Sequence, residues 1–141
     1  MFKEVYYVDT CIWLNLFKKE GDSTKGIPYW KIAKDFLEKN NQLIVSTITL
    51  KELQYVLGEN FKEVKKFFKD LDFIKIISTT QEDYDLARKF EDEEKSKISF
   101  YDYLHVAIVK RLNLPLITRD KDLMKFARKH VKVYKPEELI G

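Results

Sequence analysis

The chain has a single cysteine, Cys11, only two histidines, three prolines and four glycines in 141 residues. One cysteine excludes an internal disulfide and any zinc site built from several thiolates. With so few glycines and prolines, long helices joined by short loops are expected. No apolar run approaches the roughly 18 residues that span a bilayer. The first residues, Met1 to Asp9, contain Lys3 and Glu4 and no apolar stretch of the signal-peptide kind. The chain is therefore expected in the reducing cytoplasm, away from membranes. The net charge is only +3, which neither requires nor forbids a nucleic-acid partner.

What is present is a core. The chain is 45% hydrophobic and 14% aromatic, enough for one domain over residues 1–141. Val5-Tyr6-Tyr7-Val8 reads as a buried strand ending at Asp9. A helix follows from Thr10, with Thr10 as N-cap, carrying Ile12, Trp13, Leu16 and Phe17 on one face. Residues 21–28 form a polar loop and 29–40 a second helix. Leu43-Ile44-Val45 is a second strand, leading into a helix that Gly58 stops. Helices are predicted over 61–71, 81–95, 99–112 and 120–129. Strands are predicted over 73–77, 114–118 and 131–133, the last at an edge. Strands alternating with helices imply right-handed crossovers and a mainly parallel sheet of four to five strands, covered on both faces. In such sheets the ligand crevice lies beyond the carboxyl ends of the strands.

Four acidic residues fall where that crevice should be. Asp9 and Asp120 each follow a predicted strand. Glu52 lies on the helix after the second strand, among Leu50, Leu53 and Val56. Asp102 lies in the first turn of its helix, beside Phe100 and the apolar stripe of Leu104, Ile108 and Leu112. A carboxylate beside a core is costly to ionise unless something compensates it. A hard divalent cation, Mg²⁺ or Mn²⁺, is the natural compensation, taking carboxylates together with water and substrate phosphate. Such an ion suits phosphodiester hydrolysis.

The segments Val8-Asp9-Thr10, Thr49-x-x-Glu52-Leu53, Asp102-Tyr-Leu-His105-Val-Ala107 and Thr118-Arg-Asp120-Lys-Asp122 resemble, in order and spacing, those of the PIN-domain nucleases. They are most similar to the VapC-type toxins of toxin–antitoxin pairs. The resemblance implies a three-layer α/β/α PIN-like fold and a Mg²⁺- or Mn²⁺-dependent endoribonuclease. It makes Asp9 and Asp102 the leading metal ligands, with Glu52 and Asp120 completing the catalytic set. Thr10, Thr118 and Asp122 become residues that orient those ligands. It also implies an RNA substrate, a homodimer and a VapB-type antitoxin partner. Arg119, Lys121 and Tyr101 are candidates for RNA contact, with Lys18, Lys19 and Lys25 near the same strand ends.

Plainer readings stand beside these. Asp9 can be a helix N-cap, and Asp102 a favourable charge near a helix N-terminus. His105 reads first as a hydrogen-bonded helix histidine, His130 as a surface residue, and Cys11 as a small core residue. Tyr103, like Tyr101, flanks Asp102 and can stack on a base or pack in the core. Lys62, Lys65, Lys66 and Lys69 form a stripe typical of a solvated face. A haloacid-dehalogenase-type phosphatase needs a second Asp where Cys11 stands. A response-regulator receiver needs an acidic pair after the first strand and a phosphoacceptor Asp after the third, and has neither here. A non-catalytic PIN-like domain that binds RNA or protein stays open, as does a PIN nuclease of RNA processing.

Overall fold

The computed structural model describes residues 3–140. Five parallel strands form one sheet in the order β3-β2-β1-β4-β5. They are β1 (Val5–Val8), β2 (Gln42–Ser46), β3 (Ile74–Ile77), β4 (Leu116–Ile117) and β5 (Val133–Tyr134). The chain builds outward from β1 through β2 to β3, then returns to lay β4 against the other side of β1. The switch point is therefore between β1 and β4, where Tyr7 pairs with Leu116 and Val8 with Ile117. A crevice at the carboxyl ends of these two strands is what this topology provides.

Side chains leave each strand to alternate faces. Tyr7, Ile44 and Leu116 point into one layer, with α5 (Gln81–Glu93), α6 (Phe100–Leu112) and α7 (Lys121–Ala127). Val8, Leu43, Val45 and Ile117 point into the other, with α1 (Thr10–Phe17), α2 (Tyr29–Leu37) and α4 (Phe61–Asp70). The helix α3 (Thr47–Leu57) serves both, giving Ile48 to the first layer and Leu53 to the second. Because helices cover both faces, the central strands read as unbroken apolar runs rather than alternating ones.

The helix α6 is the axle of the first layer. Every residue from Tyr103 to Val109 is buried, His105 included. Ser99 caps its start by accepting the Asp102 N–H, and Asn113 closes it at φ 54°, a left-handed conformation that asparagine tolerates. Arg111 donates to both carboxylate oxygens of Asp83 at 2.8 and 3.0 Å, locking α6 to α5.

Several elements are shorter or shifted relative to the sequence expectation. The predicted strand over 114–118 contracts to Leu116–Ile117. Pro115, which lacks an N–H, contributes only its carbonyl, accepting from Tyr7 at 3.0 Å. The last strand begins at Val133 rather than Val131, because the Val131 N–H bonds back to Ala127 and finishes the turn after α7. The first helix is capped by Asp9, not by Thr10. The Asp9 carboxylate accepts the Thr10 N–H at 2.8 Å.

Candidate functional site

Asp9 ends β1 and is buried, with 5% of its surface exposed. Its two oxygens are held differently. Oδ1 accepts the Thr10 N–H, while Oδ2 accepts the Thr118 hydroxyl at 2.8 Å and the Cys11 thiol at 3.2 Å. Thr118 ends the stretch after β4 and also accepts the Asp120 N–H at 3.2 Å. One buried threonine thus ties the ends of the two switch-point strands together and fixes the Asp9 rotamer.

Asp120 caps α7, with Oδ1 accepting the N–H groups of Asp122 and Leu123 at 3.0 and 3.2 Å. Its side chain is exposed. Asp102 is half-buried in the first turn of α6. Its carboxyl is pushed up to about 6, first by burial and then by the charges of Asp9 and Asp120. His105 and the Ser99 contact pull the other way but do not prevail. Asp9, Asp102 and Asp120, brought from three separate parts of the chain, therefore share one electrostatic neighbourhood. None of the three forms an ion pair with a lysine or arginine among the described residues.

Glu52 is placed otherwise. Its Oε1 lies 2.6 Å from His105 Nε2 and accepts the Thr10 hydroxyl at 2.8 Å. His105 is fully buried, and its other nitrogen, Nδ1, lies 2.6 Å from the Tyr7 hydroxyl. Burial by itself disfavours the imidazolium. The oxygens of Tyr7, Glu52 and Asp9 outweigh it and hold the His105 pKa well above its usual value. Doubly protonated, His105 donates to Glu52 and to Tyr7, and Tyr7 donates onward to Ser46 Oγ at 2.7 Å. Ser46 caps α3 by accepting the Thr49 N–H. The chain Ser46–Tyr7–His105–Glu52 fixes how α3 is rotated, and with it where Glu52 points. Against the cost of its own burial, the contacts with His105 and Thr10 hold Glu52 below the usual carboxylate range.

This network is what reading the sequence missed. The one available signal was a histidine on an otherwise apolar face, between Leu104 and Val106, one turn after Asp102. Cys11, expected as a small core residue, is only partly buried, packing against the second layer with its thiol donating to Asp9. Burial, reinforced by Asp9, drives its thiol well above the normal range, so it is no nucleophile.

Three other expectations are corrected. The Asp122 side chain makes no hydrogen bond to the acidic group; only its backbone N–H does. Arg119 is not free for RNA. Its guanidinium donates to both oxygens of Glu137 at 2.8 and 2.9 Å and stacks on Tyr29 at 4.1 Å. Tyr103 is fully buried with its hydroxyl accepting from Ile98, so it cannot stack on a base. Tyr101 remains 40% exposed, and Lys121 is exposed beside Asp120. Lys18 is paired with Glu20 at 3.7 Å.

The residues present fit a divalent cation. Among the described residues no three His, Cys, Asp or Glu side chains are grouped so as to enclose an ion. Magnesium does not require that, since it is usually held by one or two carboxylates with water completing the octahedron. A raised Asp102 carboxyl facing Asp9 and Asp120, with the nearest buried cation already committed to Glu52, is a donor set in want of positive charge.

The family model for the PIN domain matches residues 6–129. The chain belongs to the PIN domain family. Among solved structures it is similar to VapBC2 from Rickettsia felis bound to a promoter DNA fragment, with 23% identity and a TM-score of 0.65. That match covers 93% of this chain and 98% of the other. A toxin–antitoxin complex from Klebsiella pneumoniae matches at 24% identity and a TM-score of 0.67, over 93% of this chain and 97% of the other. A sarcin-ricin loop cleaving toxin from Mycobacterium tuberculosis matches at 18% identity and a TM-score of 0.66, over 86% and 94%. Comparison with curated protein sequences gives no match. The five-stranded parallel sheet flanked by helices is thus a PIN-like fold, and the four acids of this PIN domain lie on the elements that meet at its switch point.

Proposed function

We propose that this PIN domain is a Mg²⁺- or Mn²⁺-dependent endoribonuclease and the toxin of a VapBC-type pair. The observation that carries the nuclease reading is the Asp102 carboxyl, pushed up to about 6 by burial and by Asp9 and Asp120 at the switch point of the sheet. Like-charged groups gathered at a topological switch point, with no lysine or arginine paired to them and with His105, 3.7 Å from Asp9, shared with Glu52, suit a site completed by a cation and a phosphodiester.

Asp9 and Asp102 would hold the ion, with Asp120 joining directly or through water. A divalent cation there supplies neutralisation of the charge that builds on the phosphodiester as it is cleaved. The chain's own residues do the positioning. Thr118 and Cys11 hold Asp9 Oδ2, and the Thr10 N–H holds Oδ1. Glu52 is steered by the Thr10 hydroxyl and by His105, so it stands at the edge of the group as an oriented carboxylate rather than a free ligand. Lys121 and Tyr101 are exposed on α7 and α6 and suit phosphate and base contacts respectively.

Ribonuclease and toxin readings are supported by the similar chains described as toxin–antitoxin complexes and as a sarcin-ricin loop cleaving toxin. A second copy of the chain and a VapB-type antitoxin are the proposed partners. Tyr55 and Val56 on α3, 91% and 45% exposed, are apolar surface for such contacts. No helix among the described residues is long and apolar enough to cross a membrane, and the proposed compartment is the cytoplasm. The decisive experiment is cleavage of defined RNAs with and without Mn²⁺, using Asp102→Asn as control. Metal-dependent cleavage by the wild type alone is expected; cleavage by the variant at the wild-type rate would remove Asp102 from the site. Growth arrest on expression, relieved by co-expressing a small upstream reading frame, tests the toxin role. Arrest that no such frame relieves would favour a solitary processing enzyme.

A further inference from the structure

A second concave surface lies at the opposite end of the sheet, where no acid of the catalytic group reaches. It is a pocket of about 710 Å³ bounded by Lys110, Arg128, Lys129, His130 and Lys132 over an apolar floor of Leu114, Pro115 and Val131. No acidic residue lines it. It sits where α6 and α7 end and where β4 and β5 begin, behind the switch-point strands.

Helix C-termini attract cations, which is the plain explanation for bases in such a place. Here several of the last carbonyls are already used. Val109 and Lys110 accept from Leu114 and Asn113 at the end of α6. Met124 accepts from Arg128, and Ala127 accepts from both His130 and Val131 at the end of α7. Lys129 reaches Glu94 at 3.3 Å, but Arg128 and Lys132 have no acidic partner among the described residues. Both are exposed. Lys110 lies 3.4 Å from His130 Nδ1, and that imidazole packs on Phe90 and Phe126 with ring centroids at 4.6 and 5.0 Å. Burial, then the nearby Lys110 and Lys129, hold the His130 pKa below its usual value. The imidazole is a flat wall on which Lys110 and Lys129 act against the opposing charges of Glu93 and Glu94.

We propose that this pocket binds the phosphodiester backbone of RNA at a distance from the acidic group, as a docking site for a folded substrate. The inference rests on the ribonuclease reading for its ligand, and on the pocket's own chemistry for everything else. Cations at the rim suit phosphate, while an apolar floor beside an imidazole and the Asn113 amide suits a base and its sugar. An acidic peptide would use the rim and leave the floor bare. A membrane surface would not enter a concavity. At the acid-facing end Arg119 and Lys18 are paired with Glu137 and Glu20, which leaves Lys121 beside Asp120. A substrate held only there would meet four carboxylates and few bases.

The test uses the full chain in EDTA, so that binding is read without cleavage. The probe is an RNA hairpin, with the same RNA cut to a dinucleotide as the short ligand and poly-glutamate as the acidic-peptide control. Arg128→Glu with Lys132→Glu should weaken hairpin binding by about tenfold or more and lower the slope of log Kd against log salt by about 1.5 to 2, two phosphate contacts being lost. The hairpin should also shift the NMR signal of His130, one of only two histidines in the chain, and the double variant should abolish that shift. Cleavage of the dinucleotide in Mn²⁺ should be unchanged, since the variant leaves the acidic group intact. Lys62→Glu with Lys66→Glu on α4 should change none of these. Unchanged hairpin affinity and slope in the back-pocket variant would overturn the proposal, as would poly-glutamate binding as tightly as RNA, or an equal loss in the α4 variant. If the wild type binds the hairpin through this pocket yet cuts no RNA in Mn²⁺, the ribonuclease reading fails and the docking site stands.

Discussion

The two ends of this sheet are built from the same strands and carry opposite charge. At the carboxyl ends of β1 and β4, Asp9, Asp102 and Asp120 crowd together, while Arg119 is turned to Glu137 and His105, 3.7 Å from Asp9, is shared with Glu52. At the amino ends of β4 and β5, cations line a pocket that no acid lines, and Glu94 pairs with Lys129 at its rim. The difference lies in how each end treats its strongest charges. The acidic end is rigid: Asp9 is held at both oxygens, and Glu52 is clamped by a buried histidine. The basic end carries its charge on long exposed side chains, Arg128 and Lys132 among them, over an apolar floor. Rigid charges suit chemistry, where a misplacement of about 1 Å costs rate. Flexible ones suit the tolerant grip of a phosphate backbone.

The sharpest way to break this division is to remove charge from the acidic end while preserving shape. Asp9→Asn and Asp102→Asn should each lower RNA cleavage on the order of 10³-fold, because the lost charge is one that acts on the transition state. Single-turnover cleavage of a dinucleotide reads that loss free of any docking contribution. Wild-type rates in both variants would show that the acidic end is structural.

A second test strikes the clamp. His105→Leu leaves Glu52 beside a core without its buried partner and breaks the chain through Tyr7 to Ser46. Removing one member of a buried pair costs about 3–5 kcal/mol, to be read as a shift in urea midpoint. The pH dependence has a definite sign. His105 is raised, so its contribution is full below about 6.5 and fades as pH climbs through its higher folded value. Glu52 is lowered, so its contribution is present above about 4.5 and fades as pH falls through its folded value. The wild type should therefore gain most over His105→Leu in the window between. A flat difference across pH would mean that the clamp is neutral.

Much of this was legible in the sequence, and the parts that were not share a cause. The strand over Val5–Val8, the stop at Gly58 and the alternation into a parallel sheet all come from local patterning. Asp9 and Asp120 stand where the pattern marks a strand end and Asp102 where it marks a helix start, whereas Glu52 sits in the middle of α3. Reading failed where a contact spans the chain. Nothing near Tyr7 announces His105, 98 positions on. Nothing near Arg119 announces that Glu137 and Tyr29 will close on it. Thr10 looked like the cap of α1, since a threonine before an apolar helical stretch normally is; the structure gives that work to Asp9 and turns the Thr10 hydroxyl to Glu52. The short strand at Leu116–Ile117 was overextended because β-propensity ignores the missing N–H of Pro115.

The third test asks whether the acidic end is held together at the expense of stability. A carboxyl raised from 3.8 to about 6 binds its proton more tightly in the folded state, so between those values stability falls as pH rises. At neutral pH without metal, Asp102→Asn should therefore be more stable than the wild type, by roughly 5 °C in Tm. The gap should close below pH 4. Millimolar Mn²⁺ should raise the wild-type Tm and leave the variant nearly unmoved. A variant less stable than the wild type in EDTA would show that Asp102 is compensated within the protein and needs no cation.

The smallest expected effect discriminates most finely between resemblance and geometry. The family pattern makes Asp122 an orienting residue, yet its side chain is exposed and bonds to none of the acids. What holds Asp120 is the pair of backbone N–H groups of Asp122 and Leu123, and any residue but proline at 122 supplies the first. Asp122→Ala should then keep cleavage and the Mn²⁺-induced rise in Tm within about threefold and within error of the wild type respectively, as for an ordinary surface change. Asp122→Pro, which removes the N–H donated to Asp120 Oδ1, should loosen that carboxylate and lower cleavage further than Ala does. If Ala and Pro were equally damaging, the carboxylate of Asp122 would be acting through its charge, and the acidic end would extend one residue further along α7 than the hydrogen bonds indicate.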